Sequence, residues 1–199
     1  MKIGIFGGSF DPIHNGHLFI AEAARESAGL DRIVFVPTRG GAHRLGPMGA
    51  SAQDRSALVR LAIASNPAFA FDDSDLADDA TGYTADLLPR LRARYPLDEL
   101  AFLAGSDSLV RSRWQRLDEI LDLVSAFLIA PRDTIDASAV TEAFADVCAE
   151  RRAKVRVLDL PLVEESATLI RARIVAGLSI RYLVPEPVYR SIADRGLYR

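Results

Sequence analysis

The sequence predicts an α/β protein, a doubly wound parallel sheet with helices on both faces. Three observations predict it. Six short runs rich in Val, Ile and Phe are spread along the chain. Longer segments of helical composition and spacing lie between them. The first run ends directly in a glycine pair, and in such sheets ligands sit at the carboxyl ends of the strands.

Taken in order, Lys2–Phe6 is the first strand, and Leu18, Ile20, Ala21 and Ala24 give Gly16–Ala28 a helical face. Arg32–Val36 is the second strand. An irregular, glycine-rich segment with two prolines follows, Pro37–Ala50, of the kind that serves as a lid or mobile loop. In Ser51–Ser65, Leu58, Leu61 and Ala62 share one face, and Ser51 and Asp54 are spaced as a capping box. Ala68–Phe71 is the third strand. Asp86–Arg94 is a helix in which Asp86, as the cap, places Pro89 in the first turn, where a missing N–H costs nothing. Leu100–Ala104 and Ala126–Ala130 are strands, Ala137–Arg151 a helix, and Val155–Leu158 the last strand. Ser166–Ala176 is a helix closed by Gly177, and Pro185 and Pro187 interrupt the chain before a final helix ending near Gly196. The reading is one domain over residues 1–199, with 177–199 as a C-terminal helical extension.

Composition narrows the function. The 199 residues carry 24 Lys and Arg against 27 Asp and Glu, so no global charge favours nucleic acid or an anionic membrane. Hydrophobic residues make up 49%, enough for a packed core. The longest charge-free apolar stretch, Leu123–Pro131, has nine residues, whereas a membrane span needs about 20. Lys2–Phe6 running into Gly7-Gly8 reads as a buried strand rather than a signal peptide, and a cytoplasmic location is expected. The single cysteine, Cys148, excludes an intramolecular disulfide or a multi-cysteine metal site. Beside Val147 on a predicted amphipathic helix, it reads as a small buried hydrophobe.

The chemistry concentrates after the first strand. Gly7 and Gly8 lack the Cβ atoms that would keep an anion from the backbone. The helix opening near His14 offers unpaired N–H groups and a positive dipole end. His14 and His17, three apart, share a face there and are placed to donate to phosphate oxygens. Ordinary surface histidines and a metal pair are the competing readings, although helical zinc pairs are usually spaced i, i+4. The only other histidine, His43, lies in the irregular 37–50 segment. Neither a P-loop nor a GxGxxG fingerprint is present.

Gly8-Ser9-Phe10-Asp11-Pro12 followed by His14-Asn15-Gly16-His17 resembles the signature of the HxGH nucleotidylyltransferase superfamily, whose domain is Rossmann-like. The likeness to the bacterial nicotinate-mononucleotide adenylyltransferases continues in order along nearly the whole chain. Ala42-His43-Arg44 stands where that family carries Pro-His-Lys. Tyr83-Thr84-Ala85-Asp86-Leu87-Leu88 resembles its Tyr-Thr-x-x-Thr-Leu segment, with Leu87 in the usual Thr position. Gly105-Ser106-Asp107-Ser108-Leu109 resembles Gly-x-Asp-x-Leu, with Trp114 where the family has its tryptophan. Ser166-Ala167-Thr168-Leu169-Ile170-Arg171 is similar to the closing Ser-Ser-Thr-x-Ile-Arg motif. Tyr182–Val188 and Arg195–Tyr198 resemble the C-terminal segment. The chain departs from the pattern at Glu165, Ala167 and Arg44.

This resemblance implies joining the 5′-phosphate of nicotinate mononucleotide to the α-phosphorus of ATP, giving deamido-NAD and pyrophosphate in NAD biosynthesis. The nucleophile is already anionic, so no general base is needed; the task is to align two polyanions and stabilise the departing charge. The implied catalytic set is His14, His17, Arg44 and Arg171. Gly7, Gly8, Ser9, Phe10, His43, Gly105, Asp107, Ser166 and Thr168 would meet ATP, and Tyr83, Thr84 and Trp114 the mononucleotide. A cationic pyridinium stacks well on indole, and N–H groups around Tyr83–Thr84 could receive the carboxylate. Each of these has a plainer reading: Arg171 as a surface arginine, Asp107 as a helix cap, Trp114 as core. Asp11 is read evenly as an assisting group or a turn cap. Mg²⁺ is expected with the ATP phosphates, without a protein metal site. No nucleic-acid or membrane partner is expected, and a homo-oligomer is compatible with the reading. The alternatives are a nicotinamide-mononucleotide or pantetheine-phosphate adenylyltransferase and, from another class, a non-catalytic nucleotide-binding regulator, to which Ala167 and Glu165 point.

Overall fold

The computed structural model describes residues 1–40, 48–111, 114–131 and 137–199, so the predicted site residues His43 and Arg44 lie outside the described residues. The described strands are β1 (Lys2–Gly8), β2 (Arg32–Pro37), β3 (Phe69–Phe71), β4 (Glu99–Gly105), β5 (Ala126–Ala130) and β6 (Val155–Val157). They pair in parallel in the order β3-β2-β1-β4-β5-β6. The predicted doubly wound sheet is therefore the observed one. The chain runs outward from β1 through β2 to β3, then returns to β4 on the other side of β1. The strand order thus reverses between β1 and β4, and a crevice opens at their carboxyl ends.

The helices are, in chain order, α1 (Asn15–Ser27), α2 (Ala52–Ile63), α3 (Thr84–Arg94), α4 (Ser106–Arg111), α5 (Leu117–Leu123), α6 (Ala137–Ala143), α7 (Ala149–Arg152), α8 (Ala167–Val175) and α9 (Glu186–Arg195). Alternation along each strand separates two cores, because successive side chains face opposite sides of the sheet. Ile33, Phe35, Ala101 and Leu103 pack with Ile20 of α1, Leu58 of α2, Ile170 of α8 and Ile192 of α9. Val34, Val36, Leu100 and Phe102 pack with Leu88 of α3, Ile120 of α5 and Phe144. Each fully buried Leu or Phe contributes about 1.5–3 kcal/mol, and both sheet faces are covered. No helix of the described residues is long and apolar enough to cross a membrane.

Three local expectations are corrected. The third helix begins at Thr84 with Tyr83 as its N-cap, so Pro89 lies inside it and Asp86 does not cap it. Asp86 instead accepts from the Thr81 hydroxyl at 2.6 Å and from Arg116 at 2.5 Å. The segment 137–151 is not one helix: α6 stops at Ala143, and Phe144 and Val147 both turn into the core before α7. That break leaves Cys148 as the exposed N-cap of α7, not a buried hydrophobe. The short helices α4 and α5 are additional; α4 starts with no gap after β4.

Candidate active site

A cavity of about 370 Å³ opens at the carboxyl ends of β1 and β4, where the strand order reverses. One wall is the loop leaving β1, from Gly7 to Asp11, together with His17. The opposite end is formed by Gly105 at the end of β4, Asp107 in α4, Thr84 at the start of α3, and Trp114. The loop is tightly folded. Phe10 adopts φ 45°, the Asp11–Pro12 bond is cis, and a Cβ on Gly8 would stand 3.1 Å from the Phe10 ring. A side chain at Gly8 would press on the Phe10 ring and stand between a ligand and the backbone.

His14 is the N-cap of α1, and the two imidazoles stack with ring centroids 3.7 Å apart. Only His17 lines the cavity; His14 is fully buried behind it. The His14 backbone N–H donates to His17 Nδ1 at 3.3 Å, so a neutral His17 carries its proton on Nε2. The residue between the histidines in the motif has its own constraint. A Cβ on Gly16 would lie 3.0 Å from His14 Nδ1 and 2.6 Å from Val163 Cγ1, so a larger residue there would push on both side chains. His14 thus backs and orients the ring that faces the cavity.

Asp11 is buried, and its carboxylate accepts from the N–H groups of Gly49 at 2.8 Å and Ala50 at 3.1 Å. It ties the residues before α2 to the β1 loop, closer to the turn-capping expectation than to direct chemistry. Arg171 lies behind it, donating from Nη1 to the Asp11 carbonyl at 2.6 Å and from Nη2 to the Thr168 hydroxyl at 3.3 Å. Ser166 caps α8, accepting from the Leu169 N–H at 3.2 Å. Of this closing motif only Ala167 reaches the cavity wall; Ser166, Thr168 and Arg171 flank it. Tyr198, from the far end of the chain, is buried beside Gly49 and Arg171. Burial, reinforced by the Asp11 carboxylate, pushes its phenol pKa up and keeps it neutral.

Trp114 serves two purposes. Its indole N–H donates to the Ser108 carbonyl at 3.1 Å, and its ring meets Phe102 and Phe127 edge to face at 5.8 and 5.4 Å. The core contact and the cavity position coexist, because the same half-buried ring lines the wall. At α3, Tyr83 O already accepts from Asp86 and Leu87 N–H, while the N–H groups of Thr84 and Ala85 point out of the first turn by helix geometry. Tyr83 itself does not line the cavity.

Sequence reasoning missed Thr38, Asp75 and Phe102 in the wall. Asp75 follows β3 and was within reach of the rule that ligands meet strand ends, but β3 is a three-residue edge strand and gave little signal. Burial pushes the Asp75 carboxyl up to about 6, with partial relief from Thr38 and Arg90. Below about pH 4 both folded and unfolded chains hold this proton; between about 4 and 6 only the folded chain does. Stability from this group therefore falls as pH rises through that window and is level above it. Asp75→Asn removes the effect, so its Tm relative to the parent should climb from about pH 4 to about pH 6.5 and then stay constant. A Tm difference that does not vary with pH would contradict this. Among the described residues, the wall carries Asp11, Asp75 and Asp107 and no Lys or Arg. Two guanidinium groups hold wall residues from outside it, Arg55 on the Ser9 and Thr38 carbonyls and Arg171 on the Asp11 carbonyl.

A glycine loop and histidine-backed helix end at a strand-order reversal define a nucleotide-binding α/β site of the nucleotidyltransferase type, and the cytidylyltransferase-like family matches residues 5–173. Two curated proteins named "Probable nicotinate-nucleotide adenylyltransferase" are similar over full length. The Symbiobacterium thermophilum protein is 37% identical over 99% of this chain and 95% of its own. The Exiguobacterium sibiricum protein is 38% identical over 100% of this chain and 99% of its own. The fold is shared with a Plasmodium falciparum nicotinic acid mononucleotide adenylyltransferase complexed with NaAD. There the TM-score is 0.75 at 21% identity, covering 99% of this chain and 97% of that one. The chain belongs to the nicotinate-nucleotide adenylyltransferase family.

Proposed function

We propose that this chain transfers AMP from ATP to nicotinate mononucleotide, forming deamido-NAD and pyrophosphate in NAD biosynthesis. One observation carries the reading: a single cavity joins the Gly7–Asp11 loop and His17 to the Thr84 and Trp114 end. A phosphate oxygen of the mononucleotide attacks the α-phosphorus of ATP, and the bond from that phosphorus to the α,β-bridging oxygen breaks. Nothing needs to be deprotonated first. The chain's contribution is alignment and charge stabilisation.

His17 Nε2–H and the backbone of the glycine loop face the phosphates. Arg171 moves its guanidinium from the Asp11 carbonyl toward the departing pyrophosphate. His43 and Arg44, outside the described residues, are proposed to add donors and charge to the phosphates. Gly105 and Asp107 meet the adenosine, Asp107 accepting from ribose hydroxyls. The substrate is MgATP: both Asp11 oxygens are engaged by Gly49 and Ala50, and Mg²⁺ bound through phosphate oxygens needs no protein cage. At the other end, Trp114 stacks on the pyridinium, and the Thr84 and Ala85 N–H groups receive the nicotinate carboxylate. A carboxamide cannot replace that charge-assisted acceptor, so the acid is favoured over the amide.

The direct test is pyrophosphate release from MgATP with nicotinate mononucleotide, nicotinamide mononucleotide and phosphopantetheine in parallel. Fast release with the first alone is expected. Preference for either of the others overturns the substrate assignment, and no release with any of them favours the regulator. Trp114→Ala should raise KM for the mononucleotide about tenfold with KM for ATP little changed, since a desolvated cation–π contact is worth about 1–2 kcal/mol. Equal changes in both KM values would place the indole outside the pyridine site.

A further inference from the structure

Arg55, in the first turn of α2, is fully buried and is not part of the cavity wall. Its guanidinium is spent on main-chain carbonyls from three separate segments. Nη1 donates to Ser9 O, in the loop after β1. Nη2 donates to Thr38 O at 2.8 Å and Arg39 O at 3.0 Å, just after β2. Nε reaches Ala50 O at 3.4 Å, ahead of α2. Ser9 and Thr38 are both cavity wall.

Burying a guanidinium costs several kcal/mol unless its N–H groups are met, and apolar residues of similar volume fill a core without that cost. What an apolar residue cannot do is hold carbonyls of three segments in one plane, as a rigid five-donor fork does. Anchoring the Ser9 carbonyl fixes the plane of the Ser9–Phe10 peptide and so directs its N–H to the side opposite Arg55. Anchoring Thr38 and Arg39 to the same group fixes how far the end of β2 stands from that loop. Asp11 adds a parallel tie from the loop to Gly49 and Ala50. The four carbonyls that Arg55 holds belong to Ser9, Thr38, Arg39 and Ala50, whereas Thr84 and Trp114 form the other end of the cavity.

We infer that Arg55 is a positioning residue for ATP: it sets the spacing and peptide orientation of the phosphate-facing loop without touching substrate. The inference rests on the proposed adenylyl transfer, and its test separates the two. Arg55→Lys, Arg55→Met and Arg55→Ala are compared with the parent for melting temperature, MgATP affinity by calorimetry, and steady-state kinetics. In Arg55→Lys, a point charge replaces the fork. MgATP affinity should fall about tenfold and kcat at least as much, while KM for the mononucleotide stays within about twofold. Added guanidinium should restore part of the MgATP affinity of Arg55→Ala. Parent-like MgATP affinity in Arg55→Lys overturns the inference. So does a parallel rise of both KM values with a falling Tm, or failure of even Arg55→Lys to fold, since each gives the residue a general core role. A parent protein that binds MgATP but releases no pyrophosphate defeats the proposed reaction and leaves the affinity comparison to judge Arg55 alone.

Discussion

His17→Ala should lower kcat by about 10²–10³ while moving the melting temperature little, the loss typical of removing one preorganised donor from a developing charge. The expectation rests on placement. His17 lines the cavity, and its Nδ1 is committed to the His14 backbone N–H, which leaves Nε2–H as the donor. His17→Gln offers a donor amide at similar reach and should recover part of the rate. His14→Ala should behave differently: it empties a fully buried position against Gly16 and Val163, so stability falls along with rate. If His17→Ala instead showed a large drop in melting temperature with its specific activity retained, the ring would be a core residue and no phosphate ligand.

Arg171→Ala should lower kcat/KM for ATP by about 10²–10³, because charge-assisted bonds to a leaving pyrophosphate are worth about 1.5–3 kcal/mol each. The resting contacts of Arg171 are the Asp11 carbonyl, the Thr168 hydroxyl and, at 3.8 Å, the Asp11 carboxylate, which Gly49 and Ala50 also hold; an arriving polyanion carries more charge than that one carboxylate. Loss of the Asp11 tether alone should cost about 1 kcal/mol of stability, readable as a small drop in Tm. Arg171→Lys should recover only part of the rate, since a point charge lacks the fork. Full activity in Arg171→Ala with a lower Tm would make the residue a strut for the β1 loop and nothing more.

The parallel sheet was legible because its strands are fully buried and read as continuous apolar runs: Ile33–Val36 and Leu100–Ala104 are buried without interruption. The β1 loop was legible because strand, glycines and helix opening are contiguous. Short elements were not. α4 begins at Ser106 directly after β4, and Gly-Ser-Asp-Ser has the composition of a turn. Pro89 misled the helix start, since Asp86 satisfied a cap rule locally while its carboxylate was bound by Thr81 and Arg116 from outside the helix. Cys148 was misplaced because Phe144 and Val147, three apart, look like one helical face but both lie in the break between α6 and α7.

At the site, residues in contiguous motifs could be read directly, whereas those brought in by packing could not. Nothing near Arg55 in sequence indicates that it will meet Ser9, Thr38 and Ala50, and Tyr198 reaches Gly49 and Arg171 from the far end of the chain. The pairing of His14 and His17 was correct as proximity but not as equivalence, because a ring at an N-cap turns inward where one at the third helical position turns to the cavity.

The most direct measurement is a crystal structure of the chain with a non-hydrolysable ATP analogue and nicotinate mononucleotide. Electron density should place the triphosphate against the glycine loop within hydrogen-bond reach of His17 Nε2, with the pyridine ring over Trp114 and the attacking phosphate in line with the α-phosphorus. A nucleotide bound elsewhere, or one in this cavity with its phosphates directed away from His17, would contradict the account.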